Sequence, residues 1–253
     1  GGSELNPAIF DRYPRLRDRL RQVDYFAVRD EATQNNLKAQ DVETVLYPDS
    51  AILMSKFYPR SVLINRISPS IADYVHKNQG NYLFFQIKNN HAKTNEARIA
   101  EQLDAIAAHY PDVRLCLCPI GKALNHDDHL ALRRIAPLLK HPSTVFEEVS
   151  IWDIMCLISH AKAYMGTSLH GAITAMSYAV PYVGVVVPKL NSYLQTWGVA
   201  GINRTVTLDG LYRGFEEAIG VDVALLERSQ MQQIKAAEAS FSNIAQLVLH
   251  ENR

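Results

Sequence analysis

The sequence predicts an α/β fold on a doubly wound, mostly parallel sheet, and three observations carry that prediction. From Tyr82 onward, short apolar runs alternate with segments of helical periodicity. One run, "YVGVVV" at residues 182–187, is apolar throughout, as a strand covered on both faces must be. The chain has 253 residues, 47% hydrophobic and 21% charged, enough for one large or two modest cores.

The elements follow in order. Gly1, Gly2 and Ser3 read as a cloning remnant or linker and carry no signal for the fold. The basic segment "DRYPRLRDRLRQV" alternates with Asp11 and Asp18 and reads as a solvated helix face. A strand at 25–28, a helix at 31–39, a strand at 43–47 and a Pro48-Asp49 turn make one α/β unit. Pro59, Pro69 and Gly80 mark a linker, with the domain boundary near 55–70.

Strand "YLFFQIK" then precedes a helix whose Ile99, Leu103, Ile106 and Tyr110 recur behind a Thr94 cap. Strand "VRLCLCPI" precedes a helix that Asn125 and Asp128 open as a capping box, with Leu130, Ile135, Leu138 and Leu139 facing inward. Strand "TVFEEV" leads to a helix boxed by Ser150 and Asp153, with Ile151, Ile154, Met155 and Ile158 on one stripe. Strand "AYMGT" leads to a helix carrying Leu169, Ile173, Met176 and Val180, which Pro181 ends. The segment from Asp222 reads as one long amphipathic helix or two shorter ones. Residues 4–60, 61–220 and 221–253 are therefore expected as a small α/β unit, a larger α/β lobe and a C-terminal helix.

Bulk properties narrow the function. Lys plus Arg equals Asp plus Glu at 26 each, so no global field favours nucleic acid or anionic lipid. Cys116, Cys118 and Cys156 lie in apolar runs, which fits reduced core thiols better than disulfides or zinc. No apolar stretch approaches the roughly 20 residues of a membrane span, and a soluble, cytoplasmic protein is expected. No Walker loop, G-x-S-x-G elbow, H-E-x-x-H or G-x-G-x-x-G occurs.

In a parallel sheet, ligands bind beyond the carboxyl ends of the strands. That rule collects Arg29, Asp30, Asp49, Lys88, Asn89, Asn90, His91, Gly121, Lys122, Glu147, Glu148 and the segment Gly166, Thr167, Ser168, Leu169, His170, Gly171. "GTSLHG" is the strongest local case, because small residues at a strand-to-helix turn expose N–H groups where the helix N-terminus favours an anion. His170 in the first helical turn can donate to that anion or relay a proton, although a cap with a packed histidine fits the same residues. His126 and His129 share a helix face without a third metal ligand at suitable spacing. Arg29 and Asp30 read as a substrate clamp or as an ion pair fixing the turn.

Taken in order, "FAVRDEAT…VLYPDSAIL", "FFQIK", "CPIGKALNHDDHLAL" and "SIWDIMCLISHAKAYMGTSLHGAITAMSYAVPYVGV" resemble the polysaccharide pyruvyl transferase family, over about residues 23–200. The resemblance implies a GT-B-like architecture of two Rossmann-like lobes with the site between them. Residues 61–220 would be the donor-binding lobe, and residues 4–60 the last unit of an incomplete N-terminal lobe. It implies transfer of the pyruvyl group of phosphoenolpyruvate onto two sugar hydroxyls of a cell-surface polysaccharide or lipid-linked precursor, giving a cyclic ketal. No cofactor or metal is expected, and the chain would work in the cytoplasm or at the inner membrane face.

By the same resemblance His170 is the family's histidine, with Asp30, Asp49 or His126 as base and no residue selected among them. Two departures stand out. Ser168 occupies a position where members often carry arginine, so Lys88, Lys122 or Arg29 would supply the cation. Members are usually longer, with a complete first lobe. A nucleotide-sugar glycosyltransferase is the competing enzyme, disfavoured because "GTSLHGAITAMSYAVP" contains no acid. A non-catalytic glycan-binding module is the competing non-enzyme. The acceptor sugar and any homo-oligomer are not specified by these motifs.

Overall fold

Of two α/β units, the smaller has only dipeptide strands. β1 (Ala27–Val28) and β2 (Val45–Leu46) pair in parallel around the Glu31–Lys38 helix, and Phe10, Val28, Leu37 and Val42 form a small core between them. The computed structural model describes residue 5 and residues 7–123 and 126–251. Short helical turns from Ser50 to Leu63 and the Pro69–Asn78 helix connect this unit to the larger one.

The larger unit is one all-parallel sheet of β3 (Tyr82–Gln86), β4 (Arg114–Leu117), β5 (Ser143–Val145), β6 (Ala163–Gly166), β7 (Tyr182–Val185) and β8 (Thr205–Val206). Its order is β5-β4-β3-β6-β7-β8, so the winding direction reverses between β3 and β6. In a parallel sheet such a reversal is the point at which ligand crevices commonly open, beyond the carboxyl ends of the two strands. Tyr82, Leu83, Phe84 and Phe85 are all fully buried, because helices cover both faces of an interior parallel strand. β8 escaped the sequence reading because its two half-buried residues form no apolar run.

Three sequence expectations are corrected. Thr94 does not cap its helix: its backbone is left-handed at φ 68°, its hydroxyl donates to the Lys93 carbonyl, and Asn95 takes the cap position. Asp128 does not face outward in a capping box; it is fully buried and turns toward the sheet, while Asn125 lies outside the described residues. Leu130 and Leu138 are exposed, and Ala131, Leu132 and Ile135 form the buried stripe, because the helix ends at Ile135 and continues as a tighter turn. The Ser150–Asp153 capping box is present, with Ile154, Met155 and Ile158 buried and Ile151 exposed.

A single helix, Val223–Glu251, closes the chain, with Leu226, Gln233 and Ala237 on its buried side. It runs back to the small unit, where Ser240 hydrogen-bonds Tyr25 at 3.0 Å and Asn243 donates to the Tyr47 hydroxyl at 2.9 Å. Among the described residues no helix is long and apolar enough to cross a membrane.

Candidate functional site

A cleft of about 830 Å³ lies where the carboxyl ends of β1 and β2 face the Leu169–Ser177 and Pro188–Trp197 helices. Arg29, Asp30, Asp49, Ser50, His170, Lys189, Asn191 and Ser192 are among the residues that line it.

Asp49 is the polar centre of one wall. Its Oδ1 accepts from the Ala51 N–H at 3.1 Å, so the carboxylate caps the turn that follows β2. Arg29 Nη1 donates to Asp49 Oδ2 at 2.9 Å, and His170 Nε2 lies 3.8 Å from the same oxygen. The first link is a charge-assisted hydrogen bond; the second is electrostatic contact at longer range. The His170 imidazole, the Ala51 N–H and the Arg29 guanidinium hold the Asp49 carboxyl well below the usual carboxylate range, against the opposing effect of burial. Asp49 is therefore an ionised anchor that joins a cation of the small unit to an imidazole of the large one.

Asp30 caps the Glu31–Lys38 helix. Its Oδ1 accepts from the Thr33 N–H at 2.8 Å, the Thr33 hydroxyl at 2.9 Å and Ser192 at 3.1 Å. Its Oδ2 has no hydrogen-bond partner among the described residues. Trp197 Nε1 donates to the Arg29 carbonyl at 2.8 Å, and the Glu31 N–H donates to Thr196 at 3.1 Å. The Pro188–Trp197 helix thus clasps the β1 turn at the cleft.

His170 enters from the other side, on the second residue of its helix, with its side chain 65% exposed. Ser168 is the cap, accepting from the Gly171 N–H at 3.2 Å. The N–H groups of Thr167 and Ser168, expected to face a ligand, are instead both taken by Gln86 Oε1 at 3.0 Å. The N–H groups of Leu169 and His170 have no partner among the described residues, which leaves the positive end of the helix beside the imidazole. The glycines serve close packing: a Cβ on Gly166 would meet the Tyr164 hydroxyl at 2.6 Å and Gln86 Oε1 at 2.7 Å. Gly171 likewise lies against Tyr164.

The remaining candidates outside the Gly166–Gly171 segment stand at the ends of β3, β4 and β5 and do not line this cleft. The Lys88 N–H donates to Thr167 Oγ1 at 3.0 Å, and burial together with the Lys88 charge lowers the pKa of His91. Asn89 accepts from Arg134 at 2.7 Å, and Lys122 pairs with Glu148 at 3.0 Å. The His126 ring packs over Gly121, where an added Cβ would meet Nδ1 at 2.7 Å. Among the described residues no three His, Cys, Asp or Glu side chains converge as a metal site.

Sequence reasoning missed Lys189, Asn191 and Ser192. They follow β7, so the strand-end rule that found the others reaches them too; the apolar run before Pro188 concealed where the strand stops. Gln86 was missed as well, although one polar residue inside "YLFFQIK" was the available signal.

A family profile described as polysaccharide pyruvyl transferase matches residues 10–187. No curated protein matches the chain by sequence. Among solved structures, Staphylococcus aureus MnaA in a structure with UDP is similar at 15% identity and TM-score 0.63, over 99% of this chain and 68% of that one. Trehalose 6-phosphate synthase from Burkholderia multivorans is similar at 12% identity and TM-score 0.60, over 98% and 63%. The Methanocaldococcus jannaschii UDP-GlcNAc 2-epimerase is similar at 12% identity and TM-score 0.59, over 79% and 55%. The chain thus spans little more than half to about two thirds of these structures, and the likeness establishes a GT-B-like fold.

Proposed function

The chain belongs to the polysaccharide pyruvyl transferase family, and from that premise we propose that it moves the pyruvyl group of phosphoenolpyruvate onto two hydroxyls of a sugar, forming a cyclic ketal. The observation that carries the reading is the convergence of Arg29, Asp49 and His170 from two lobes on one cleft.

The reaction needs a proton for C3 of the enolpyruvyl group, positive charge for the carboxylate and phosphate, and a base for the attacking hydroxyl. His170, held toward Asp49 and open to the cleft, donates the C3 proton. Arg29, Lys189 and the N–H groups of Leu169 and His170 hold the anionic donor, so the cation that substitutes for the arginine often found at 168 comes from across the cleft. Asp49 orients and is not the base, because a carboxyl held so far below its ordinary range takes up protons poorly. Asp30, with Oδ2 free of hydrogen bonds among the described residues, accepts the first hydroxyl proton. The hydroxyl oxygen bonds to C2, phosphate leaves with the C2–O bond electrons, and the second hydroxyl closes the ketal as its proton passes to solvent or phosphate. The acceptor is a sugar or lipid-linked oligosaccharide, with no cofactor beyond the donor.

Thermal-shift titration tests the donor. Phosphoenolpyruvate is expected to raise the melting temperature of the wild type and not of Arg29→Ala. Stabilisation by UDP- or GDP-sugars instead supports the nucleotide-sugar alternative, and stabilisation by glycans alone supports a binding module.

A further inference from the structure

Gln86 ends β3 at the point where the sheet reverses its winding, and its side chain is 1% exposed. Every polar atom of its amide is used. Oε1 accepts from the N–H groups of Thr167 and Ser168, both at 3.0 Å, and from Thr167 Oγ1 at 3.3 Å. Nε2 donates to Asp128 Oδ2 at 2.8 Å. That oxygen of the fully buried Asp128 also accepts from the N–H groups of Ile120 at 3.0 Å and Gly121 at 2.7 Å.

The two faces of the amide are not interchangeable. Three donors converge on Oε1, and three donors, Nε2 among them, converge on the Asp128 oxygen; a flipped amide would set N–H against N–H and oxygen against oxygen. Asp128 therefore aims Gln86, and Gln86 holds the Thr167–Ser168 turn. Gln86 and Gly166 are register partners across β3 and β6, the strands whose following helices leave in opposite directions. The loop N–H groups there have no neighbouring strand to bond, and the glutamine supplies the missing acceptor. On its other side, the turn is tied by Tyr164, whose hydroxyl donates to the Ser168 carbonyl at 3.1 Å. His170 follows two residues later.

We propose that Gln86, aimed by Asp128, is a positioning residue that fixes the Thr167–Ser168 turn and thereby places His170 and the first N–H groups of its helix at the cleft. The kinetic consequence rests on the pyruvyl-transfer reading; the structural one does not. A misplacement of about 1 Å costs on the order of 100-fold in rate, so the effect falls on kcat.

The test combines amide hydrogen exchange with steady-state kinetics on Gln86→Met, Gln86→Asn, Asp128→Leu and Asp128→Asn. In Gln86→Met, which keeps the volume and removes the acceptor, exchange at Thr167 and Ser168 rises by about tenfold or more while amides of the β3–β4 ladder keep their protection. In the same variant kcat falls about 100-fold with KM for phosphoenolpyruvate within about threefold. Gln86→Asn, whose oxygen falls short of the turn, reproduces the result in case the methionine variant does not fold. Asp128→Leu does so too, and Asp128→Asn, which keeps an acceptor at the Oδ2 position, restores protection and rate. Unchanged exchange at Thr167 and Ser168 in a folded Gln86 variant overturns the proposal, as does lost protection with kcat intact. If the wild type forms no ketal from any acceptor, the pyruvyl-transfer reading fails, and exchange alone decides for or against the clamp.

Discussion

Asp49 carries the clearest consequence at the residue scale. Its folded carboxyl sits below the usual range because of His170, Ala51 and Arg29, so it stabilises the fold at pH values above the ordinary carboxylate pKa. That stabilisation is lost as pH falls toward the lower folded value. Asp49→Asn, in a side chain only 16% exposed, is expected to cost about 2 kcal/mol at neutral pH and much less in acid. Urea denaturation of both proteins across pH 3–8 checks this; a pH-independent difference contradicts it. Asp30→Asn separates two roles, since asparagine caps a helix as well as aspartate does but cannot take a proton. It is expected to leave the melting temperature nearly unchanged and to lower kcat by about 100-fold. Arg29, Asp49 and His170 were each legible as strand-end candidates, whereas their convergence on one carboxylate oxygen was not, because it arises only through the packing of two units.

The "GTSLHG" turn shows at the element scale what a motif does and does not disclose. The residues predicted a strand-to-helix turn at an anion-favouring helix end, and the turn is present, with Leu169 and His170 N–H groups that have no partner among the described residues. The glycines were read as openness toward a ligand, whereas their shared reason is contact with Tyr164, joined at Gly166 by Gln86. Gly166→Ala is therefore expected to cost about 1–3 kcal/mol through overpacking. Calorimetry measures that cost, and an unchanged melting temperature would show that the buried tyrosine and glutamine yield. Helices with strong periodicity and polar caps, such as Ile151–Ser159, were readable in advance. Thr94 and Asp128 were misread because side chains that cap in isolation were redirected here by a left-handed backbone and by a buried acceptor network.

At the scale of the whole molecule, the cleft arises from the meeting of two units. Alternating apolar runs made the large parallel sheet legible, since burial on both faces leaves a continuous hydrophobic signature. The cleft was not legible in the same way: the Pro188–Trp197 helix that clasps Arg29, Glu31 and Asp30 acts through contacts over 160 residues apart in sequence. Lys189 reaches the same cleft on that helix, so the residues lining it include cations from both units, Arg29 and Lys189. The clasp and the returning C-terminal helix hold both walls of the cleft in register.

Ketal formation is the direct assay of pyruvyl transfer at this cleft. Wild type and His170→Ala would be incubated with phosphoenolpyruvate and a panel of sugar acceptors, with released phosphate and pyruvylated sugar quantified together. One phosphate per ketal is expected from the wild type, and a loss of about 100-fold or more in a His170→Ala protein whose melting temperature is retained. Near-normal turnover by that variant, or phosphate release without ketal, would contradict it.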